Sequence, residues 1–513
     1  MKTRKGVRAI AGIALCAAGF GLVFTRPLHP HTFLMDAGGC RIVTDVVEPA
    51  GGAAKGFVLL LHGLAANKKI MSYITSGFAE QGLRVFVPDL PGHGRTAGPF
   101  SPERAVTCSE SLLRELIARG LIEQDRTILA GHSLGGAIAV RVANHTPVAG
   151  VIAISPAPMR TAHGVREVDL LFKDSAPAPS NSLLISGAWE PKLMSEHAAD
   201  LAASREDGSA KYLVIPRATH ASLLFNSLVV RESQKWVANL LHLGEPAGTP
   251  TRRGALGSAA GFIGLLLLAA PFLRETLRNK EFAGAPAALA AAPGTARLFL
   301  EFILLGLGTV AILHSWIPLR KLQLFEGDYF GSFLLILGAG LLLFHARSLR
   351  ELFGNKIAAA QTVMRWLSSL FAACFAAFVL LLLFTAWLDL SMTEAWLTAS
   401  RWARFPVLLA ALLPYHAAEE LVLCPAQFAS GLRRLVFALL LRLAAWGTLL
   451  AGLFGLRSGE ILLLLFAPYF ALFCLLQRRG MDIVRKETAS PAAAALFGAI
   501  LFAGLCLVIF PIT

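Results

Sequence analysis

From residue 254 onward the chain is built almost wholly of apolar runs about as long as a bilayer core is thick. The candidate spans are 254–273, 296–316, 328–346, 367–389, 404–424, 435–454, 459–477 and 491–511. Each offers the roughly 20 residues that a helix needs to cross the hydrocarbon core, where backbone polar groups must be satisfied within the element. A water-soluble core has no use for eight such runs in succession. The weakest is 404–424, which contains Pro406, Pro414 and charged residues. The 55% apolar composition and mean hydropathy of +0.61 agree with this reading. An all-α polytopic membrane domain of about eight helices is expected over 255–513.

The N-terminus, MKTRKGVR followed by AIAGIALCAAGFGLVF, places a basic flank before an apolar run. This is a signal peptide or a signal anchor. No A-x-A site follows at 25–35, and Ile13-Ala14-Leu15 before Cys16 makes a poor lipobox. An uncleaved anchor over 1–29 is therefore favoured, with a cleaved signal as the alternative. With the N-terminus inside, the cytoplasmic loops hold Arg274, Arg278, Lys280, Arg347, Arg350, Lys356, Arg365, Arg433, Arg434, Arg478, Arg479, Arg485 and Lys486. The outer loops hold fewer basic residues, and LDLSMTEA at 389–396 holds none. Such a bias predicts nine spans in a cytoplasmic membrane, with the polar segment 30–245 outside the cytoplasm. The net charge of +14 lies in short clusters between apolar runs, a pattern that argues against nucleic-acid binding.

Residues 32–245 have ordinary polarity. VLLLHGL (58–64), LRVFVPDL (83–90), RTILAGHS (126–133), VAGVIAISP (148–156), NSLLISG (181–187) and AKYLVIP (210–216) read as buried strands. Amphipathic stretches such as 101–120 lie between most of them. The series predicts an α/β domain, a mostly parallel sheet with helices on both faces. An antiparallel hairpin is expected over 33–50, and EPAGTPTRRG (245–254) reads as the linker, centred on 246–254.

Within this domain Gly131-His132-Ser133-Leu134-Gly135 ends an apolar strand and opens a helix, AIAVRVANH. That is the setting of a nucleophile elbow, in which glycines permit a strained turn that projects the serine hydroxyl. A serine hydroxyl needs a base, and His220 follows the last strand in PRATHASL. The imidazole needs a carboxylate to hold its tautomer, and Glu190 follows NSLLISG. Asp200 is the fallback acid, since a charge at Glu190 also suits a helix N-terminus. His62 and Asp89 read as turn-shaping residues and His132 as shaping the pocket. Residues 159–180 are too short for a large cap, so an open site is expected.

Residues 50–243 resemble an α/β-hydrolase domain of the serine esterase and lipase kind. LLHGLAANK resembles the family's His-Gly oxyanion loop, and PDLPGHGRT (88–96) resembles its D-x-P-G-H-G turn. The resemblance implies an oxyanion hole from the backbone N–H groups of Leu64 and Leu134. Glu190 stands where aspartate is commoner in that family. The implied activity is cleavage of a carboxylic ester or related acyl substrate through an acyl-enzyme, with no cofactor and no metal. Expected partners are a small acyl substrate of lipophilic character and the lipid bilayer. The other class considered is a transporter or membrane-assembly protein that uses the hydrolase domain as a binding module.

PYHAAEELVLCP (414–425) motivates that alternative, because His416, Glu419 and Glu420 interrupt an apolar stretch. At helical spacing His416 and Glu420 share a face, and Arg442 in the next span is a candidate counter-charge. Interfacial or structural pairing is the other reading of this segment. Gly257 and Gly261 form a small-xxx-small pair able to seat a neighbouring helix. Cys16, Cys374, Cys424, Cys474 and Cys506 read as apolar packing residues. Cys40 and Cys108 lie in the polar third, and nothing in the sequence puts them within bridging distance.

Overall fold

A computed structural model of the chain describes residues 2–25, 30–49, 51–158, 171–172, 176–246, 248–278, 294–354, 360–424, 431–456 and 461–513. It divides into two compact units. One comprises Gly19–Ala259, Leu388–Ala395 and Pro511–Thr513; the other comprises Met1–Ala18, Ala260–Trp387 and Trp396–Phe510.

The first unit holds an eight-stranded sheet of order β1-β2-β4-β3-β5-β6-β7-β8. The strands are β1 His31–Ala37, β2 Cys40–Val47, β3 Phe57–Leu61, β4 Arg84–Pro88, β5 Thr127–His132, β6 Gly150–Ile154, β7 Ser182–Gly187 and β8 Ala210–Ile215. The β1–β2 hairpin and the β2–β4 pairing are antiparallel, and the other pairings are parallel. β3, β5, β6 and β7 are buried along their whole length, which is why they read as unbroken apolar runs rather than alternating ones. After α1 (Lys2–Phe24) the helices of this region are α2 Ser72–Glu80, α3 Pro102–Ala118, α4 Leu134–His145, α5 Lys192–Ala203 and α6 Ser227–Leu241. α3 packs with α4, and α2 with α6. Ile74, Phe78, Val85, Ile128, Ile152, Ile185 and Val237 belong to one buried core cluster. Cys40 and Cys108 are joined in a disulfide, with their Cα atoms 5.7 Å apart. It ties the start of β2 to α3, across 68 residues of chain.

The remaining helices are α7 Arg253–Thr276, α8 Thr295–Ser315, α9 Gly327–Phe344, α10 Ala346–Gly354, α11 Ala360–Ser391, α12 Ala399–Ala418, α13 Gly431–Ala451, α14 Ile461–Thr488 and α15 Pro491–Ile509. Among the described residues eight helices, α1 included, are long and apolar enough to cross a membrane. The expected span at 459–477 falls on α14, and the side chains of 461–469 lie outside the described residues. The small pair on α7 is used as a seat. A Cβ on Gly257 would stand 2.8 Å from Leu22 Cβ, and one on Gly261 would stand 2.0 Å from the Trp387 ring.

Two expectations are corrected here. Arg478 and Arg485 are not loop charges: α14 runs through both, and they are 0% and 3% exposed. Their bonds to buried carboxylates take them out of the loop-charge bias. Nor is Glu420 the carboxylate that meets His416: Glu419 stands 3.6 Å from its Nδ1, while Glu420 pairs with Arg478 and Arg485. Glu419–Leu423 form a π-helical turn.

Candidate active site

The candidate residues gather where parallel strands end, the usual place for ligands in open α/β sheets. Leu61 on β3 stands opposite Gly131 on β5, and His132 stands opposite Ile154 on β6. His62, Ser133, Ser155, Glu190 and His220 therefore follow neighbouring strand ends. Ser133 is the turn between β5 and α4, with φ of +55°. Its backbone N–H donates to Ile154 O at 2.9 Å, and its own carbonyl accepts from Ala157 N–H at 2.9 Å. The flanking glycines are sterically required. A Cβ on Gly131 would lie 2.2 Å from the Gly135 carbonyl, and one on Gly135 would lie 2.2 Å from Leu61 O.

His220 Nδ1 lies 2.8 Å from Glu190 Oε1 and 2.9 Å from Ser155 Oγ. Ser155 Oγ donates to the same Glu190 oxygen, and Gly187 N–H donates to Glu190 Oε2 at 2.7 Å. Glu190 is thus an acceptor on both oxygens with no side-chain exposure. A carboxylate facing Nδ1 holds the proton there and leaves Nε2 as the ring's acceptor. Among the described residues no hydrogen bond joins Ser133 Oγ to His220; in unliganded sites this bond is often loose and tightens when substrate binds. His132 Nε2–H donates to the His220 carbonyl at 3.0 Å, with the two rings 4.6 Å apart. Burial first, then the neighbouring His220, holds His132 well below the usual histidine pKa, so it stays neutral. Asp200, the fallback acid, lies on α5 and is not among the partners of His220.

The turn after β3 carries Leu64, one of the two expected oxyanion donors, and the other, Leu134, opens α4. His62 Nδ1–H donates to Gly63 O at 2.8 Å, while its Nε2 accepts from Leu90 N–H at 2.9 Å. Burial lowers its pKa to about 4, which keeps that tautomer neutral. His93 Nε2 accepts from Ala65 N–H at 3.1 Å, and Ala65 has φ of +57°. Asp89 accepts from the N–H groups of Lys68 and Arg95 at 2.9 and 3.0 Å. These residues shape turns, as the sequence suggests. Leu64 and Leu134 N–H have no hydrogen-bond partner among the described residues, and Leu134 opens α4, where the first N–H groups are left over by the helix. Most of the expected cap, 159–170 and 173–175, lies outside the described residues.

Sequence reasoning did not single out Ser155, which bridges Glu190 and His220. No local signal marks it: Ser155 is a small residue just past a wholly buried strand. Sequence reasoning also missed Arg478 and Arg485 as partners of Glu419 and Glu420. Glu419 bonds Arg442 Nη2 at 3.0 and 2.8 Å and stands 3.3 Å from Arg478. His416 Nδ1 is 3.6 Å from Glu419. Glu420 pairs with Arg478 at 2.5 Å and with Arg485 at 2.7 Å. Asp482 adds contacts to Arg478 and Arg434 at 2.7 and 3.0 Å.

A mostly parallel sheet with a serine elbow at the end of β5 defines the α/β-hydrolase class of domain. Residues 58–247 match the model of the Alpha/beta hydrolase family, and this part of the chain is an α/β-hydrolase domain. The chain is 36% identical over 122 residues to the magnesium-chelatase 30 kDa subunit of Rhodobacter capsulatus, covering 22% of this chain and 38% of that protein. It is 29% identical over 151 residues to lipase LipV of Mycobacterium tuberculosis, covering 28% and 55%. The chain thus spans between about a third and just over half of the length of these relatives. A solved esterase of Pyrobaculum calidifontis aligns at a TM-score of 0.36 and 16% identity, covering 47% of this chain and 92% of that one.

Proposed function

We propose that this protein is a membrane-bound serine hydrolase that cleaves a carboxylic ester or a related acyl bond. The observation that carries the reading is the 2.8 Å contact of His220 Nδ1 with a fully buried Glu190, at the same sheet edge as the strained Ser133 turn. In this mechanism Glu190 holds the His220 proton on Nδ1. Nε2 then accepts the Ser133 proton as Oγ attacks the acyl carbonyl. The N–H groups of Leu64 and Leu134 receive the developing oxyanion, each contributing about 3 kcal/mol. His220 returns the proton to the leaving group, and water releases the acyl-enzyme by the same relay. The lipase among the relatives supports an acyl substrate of lipophilic character.

The organisation that goes with this reading is an anchor over 1–29, a hydrolase domain over 30–245, a linker over 246–254 and a membrane domain over 255–513. The hydrolase domain faces outward from a cytoplasmic membrane. The Cys40–Cys108 disulfide supports this, since such bonds persist in oxidising compartments. The remaining loop charges point the same way. His416, Glu419, Glu420 and Arg442 enter the proposal as a structural network. Each carboxylate is held by two arginines, an arrangement suited to a fixed clamp between helices.

A fluorophosphonate probe on membranes tests the enzyme. Labelling of the wild-type chain, with loss in Ser133→Ala and His220→Ala, is expected. Undiminished ester turnover by purified Ser133→Ala would sink the mechanism.

A further inference from the structure

The unit that holds the hydrolase sheet also contains two short segments from far along the chain, Leu388–Ala395 and Pro511–Thr513. Both attach to the turns beside the candidate oxyanion donors. Asn67 is the hub of the first attachment. Its Nδ2 donates to Thr393 Oγ1 at 2.7 Å, and its Oδ1 accepts from Glu394 N–H at 3.1 Å and from Lys69 N–H at 3.2 Å. Lys68 Nζ donates to Asp89 Oδ2 at 2.8 Å and also to Glu394 Oε1, with all three side chains almost wholly buried. Lys69 Nζ and Arg95 reach Asp389 Oδ2 at 3.2 and 3.3 Å. In the second attachment Phe100 N–H donates to Ile512 O at 2.7 Å, and Ile512 N–H donates to Gly92 O at 3.1 Å.

The turn held this way begins at Gly63, next to the serine: a Cβ on Gly63 would lie 3.2 Å from Ser133 Cβ. Within it, Leu64 and Ala65 follow Gly63, and Asn67 and Lys68 close it. The hydrolase sheet fixes the start of this turn through β3 and His62. Its far end is bonded to Thr393 and Glu394, some 326 residues away in sequence. An oxyanion donor works only when held within a few tenths of an ångström of the developing charge.

We propose that Thr393 and Glu394 are positioning residues for the acyl-transfer site, setting the turn that carries Leu64 N–H through Asn67 and Lys68. This rests on the reading of the site as a serine hydrolase. It makes the short connection after α11 part of the hydrolase machinery, so that Ser133, His220 and Glu190 on the sheet are completed by a segment distant in the sequence.

The test uses the full-length chain in lipid nanodiscs, with Thr393→Val, Thr393→Ser and Glu394→Gln. Active sites are counted by fluorophosphonate titration, so rates refer to competent molecules. Thr393→Val keeps the side-chain shape and removes the hydroxyl that accepts from Asn67. It is expected to lower kcat on a short p-nitrophenyl ester by about ten- to a hundredfold, with KM little changed. Affinity for a trifluoromethyl ketone, whose adduct places an oxyanion in the hole, should fall by the same factor. Binding of the matching alcohol should not change. Thr393→Ser should restore both. Glu394→Gln should follow Thr393→Val, with faster amide exchange in 63–67. A Thr393→Val chain with wild-type kcat per titrated site and wild-type ketone affinity overturns the proposal, as does one that only loses competent molecules. If the wild type is not labelled, or Ser133→Ala turns over normally, the hydrolase reading itself fails and takes this inference with it.

Discussion

Replacing Glu190 by glutamine changes one atom and no shape, and the surrounding bonds set the consequence. Oε1 accepts from His220 Nδ1 and from Ser155 Oγ, while Oε2 accepts from Gly187 N–H at 2.7 Å. A glutamine has one acceptor arm and one donor arm. If its carbonyl keeps the Gly187 bond, its amide N–H faces Nδ1. The imidazole must then carry its proton on Nε2, the tautomer that cannot take the Ser133 proton. In serine proteases that error costs about 10⁴ in kcat, or roughly 5.5 kcal/mol. If the amide turns the other way, its NH₂ meets the Gly187 N–H, leaving a buried donor unpaired at about 1–3 kcal/mol. The imidazolium of the transition state also loses its anionic partner. Either way kcat/KM should fall by about 10³ to 10⁴, with the fold intact. The assay is steady-state hydrolysis of a short p-nitrophenyl ester by the purified full-length variant, beside thermal unfolding. Activity within tenfold of wild type would refute Glu190 as the orienting acid; an inactive Asp200→Asn chain would then move the role to Asp200.

Glu394 supplies a pH prediction. Burial first, then neighbouring Asp89, raises its pKa from the usual 4.5 to about 7, against the pull of Lys68. A carboxyl whose folded pKa is raised adds stability that is complete below its unfolded pKa and is lost as pH rises through about 7. Unfolding from pH 5 to pH 8 should therefore show Glu394→Gln gaining on wild type by up to about 3 kcal/mol; a gain in the opposite direction would contradict the assignment. Glu419→Gln and Glu420→Gln should each destabilise the packing of α12, α13 and α14 by about 3–5 kcal/mol, because Arg442, Arg478 or Arg485 would be left buried with its charge under-compensated. Detergent unfolding reads this, and two fully stable variants would dismiss the clamp. A cysteine placed at exposed Ser180 should react with a membrane-impermeant thiol reagent in intact cells. Reaction only after lysis would invert the topology.

Much of the candidate site could be read along the chain because its signals are local. A serine between glycines at a strand end needs no distant residue to be recognised, although Gly135 is demanded by Leu61 on the neighbouring strand as well as Gly131 by Gly135 itself. Ser155 escaped notice for the opposite reason. A serine before a proline at a strand end carries no local mark of function, and its role exists only because β6 lies beside β5 and β7. Glu190 was legible as the acid, with Asp200 as the fallback, because it follows the end of β7; its distance to the imidazole is a property of the folded loop.

The half built of long apolar helices divides in the same way. Length and hydropathy mark the helices, because the length and apolarity needed to cross a bilayer are written residue by residue. Arg442 could be named as a counter-charge for the glutamate pair, and it meets Glu419, but Arg478 and Arg485 could not be named. α14 continues through Arg478 and Arg485, which by composition read as loop charges. Chain pattern by itself determined that this protein has an α/β domain with a serine elbow and a series of apolar helices. Tertiary structure alone decided the ion pairs, the Cys40–Cys108 bridge and the bond from Thr393 to Asn67. Hydrophobic periodicity is a sum over neighbours in sequence, whereas a buried charge or polar group must be satisfied by whatever packing brings within about 3 Å.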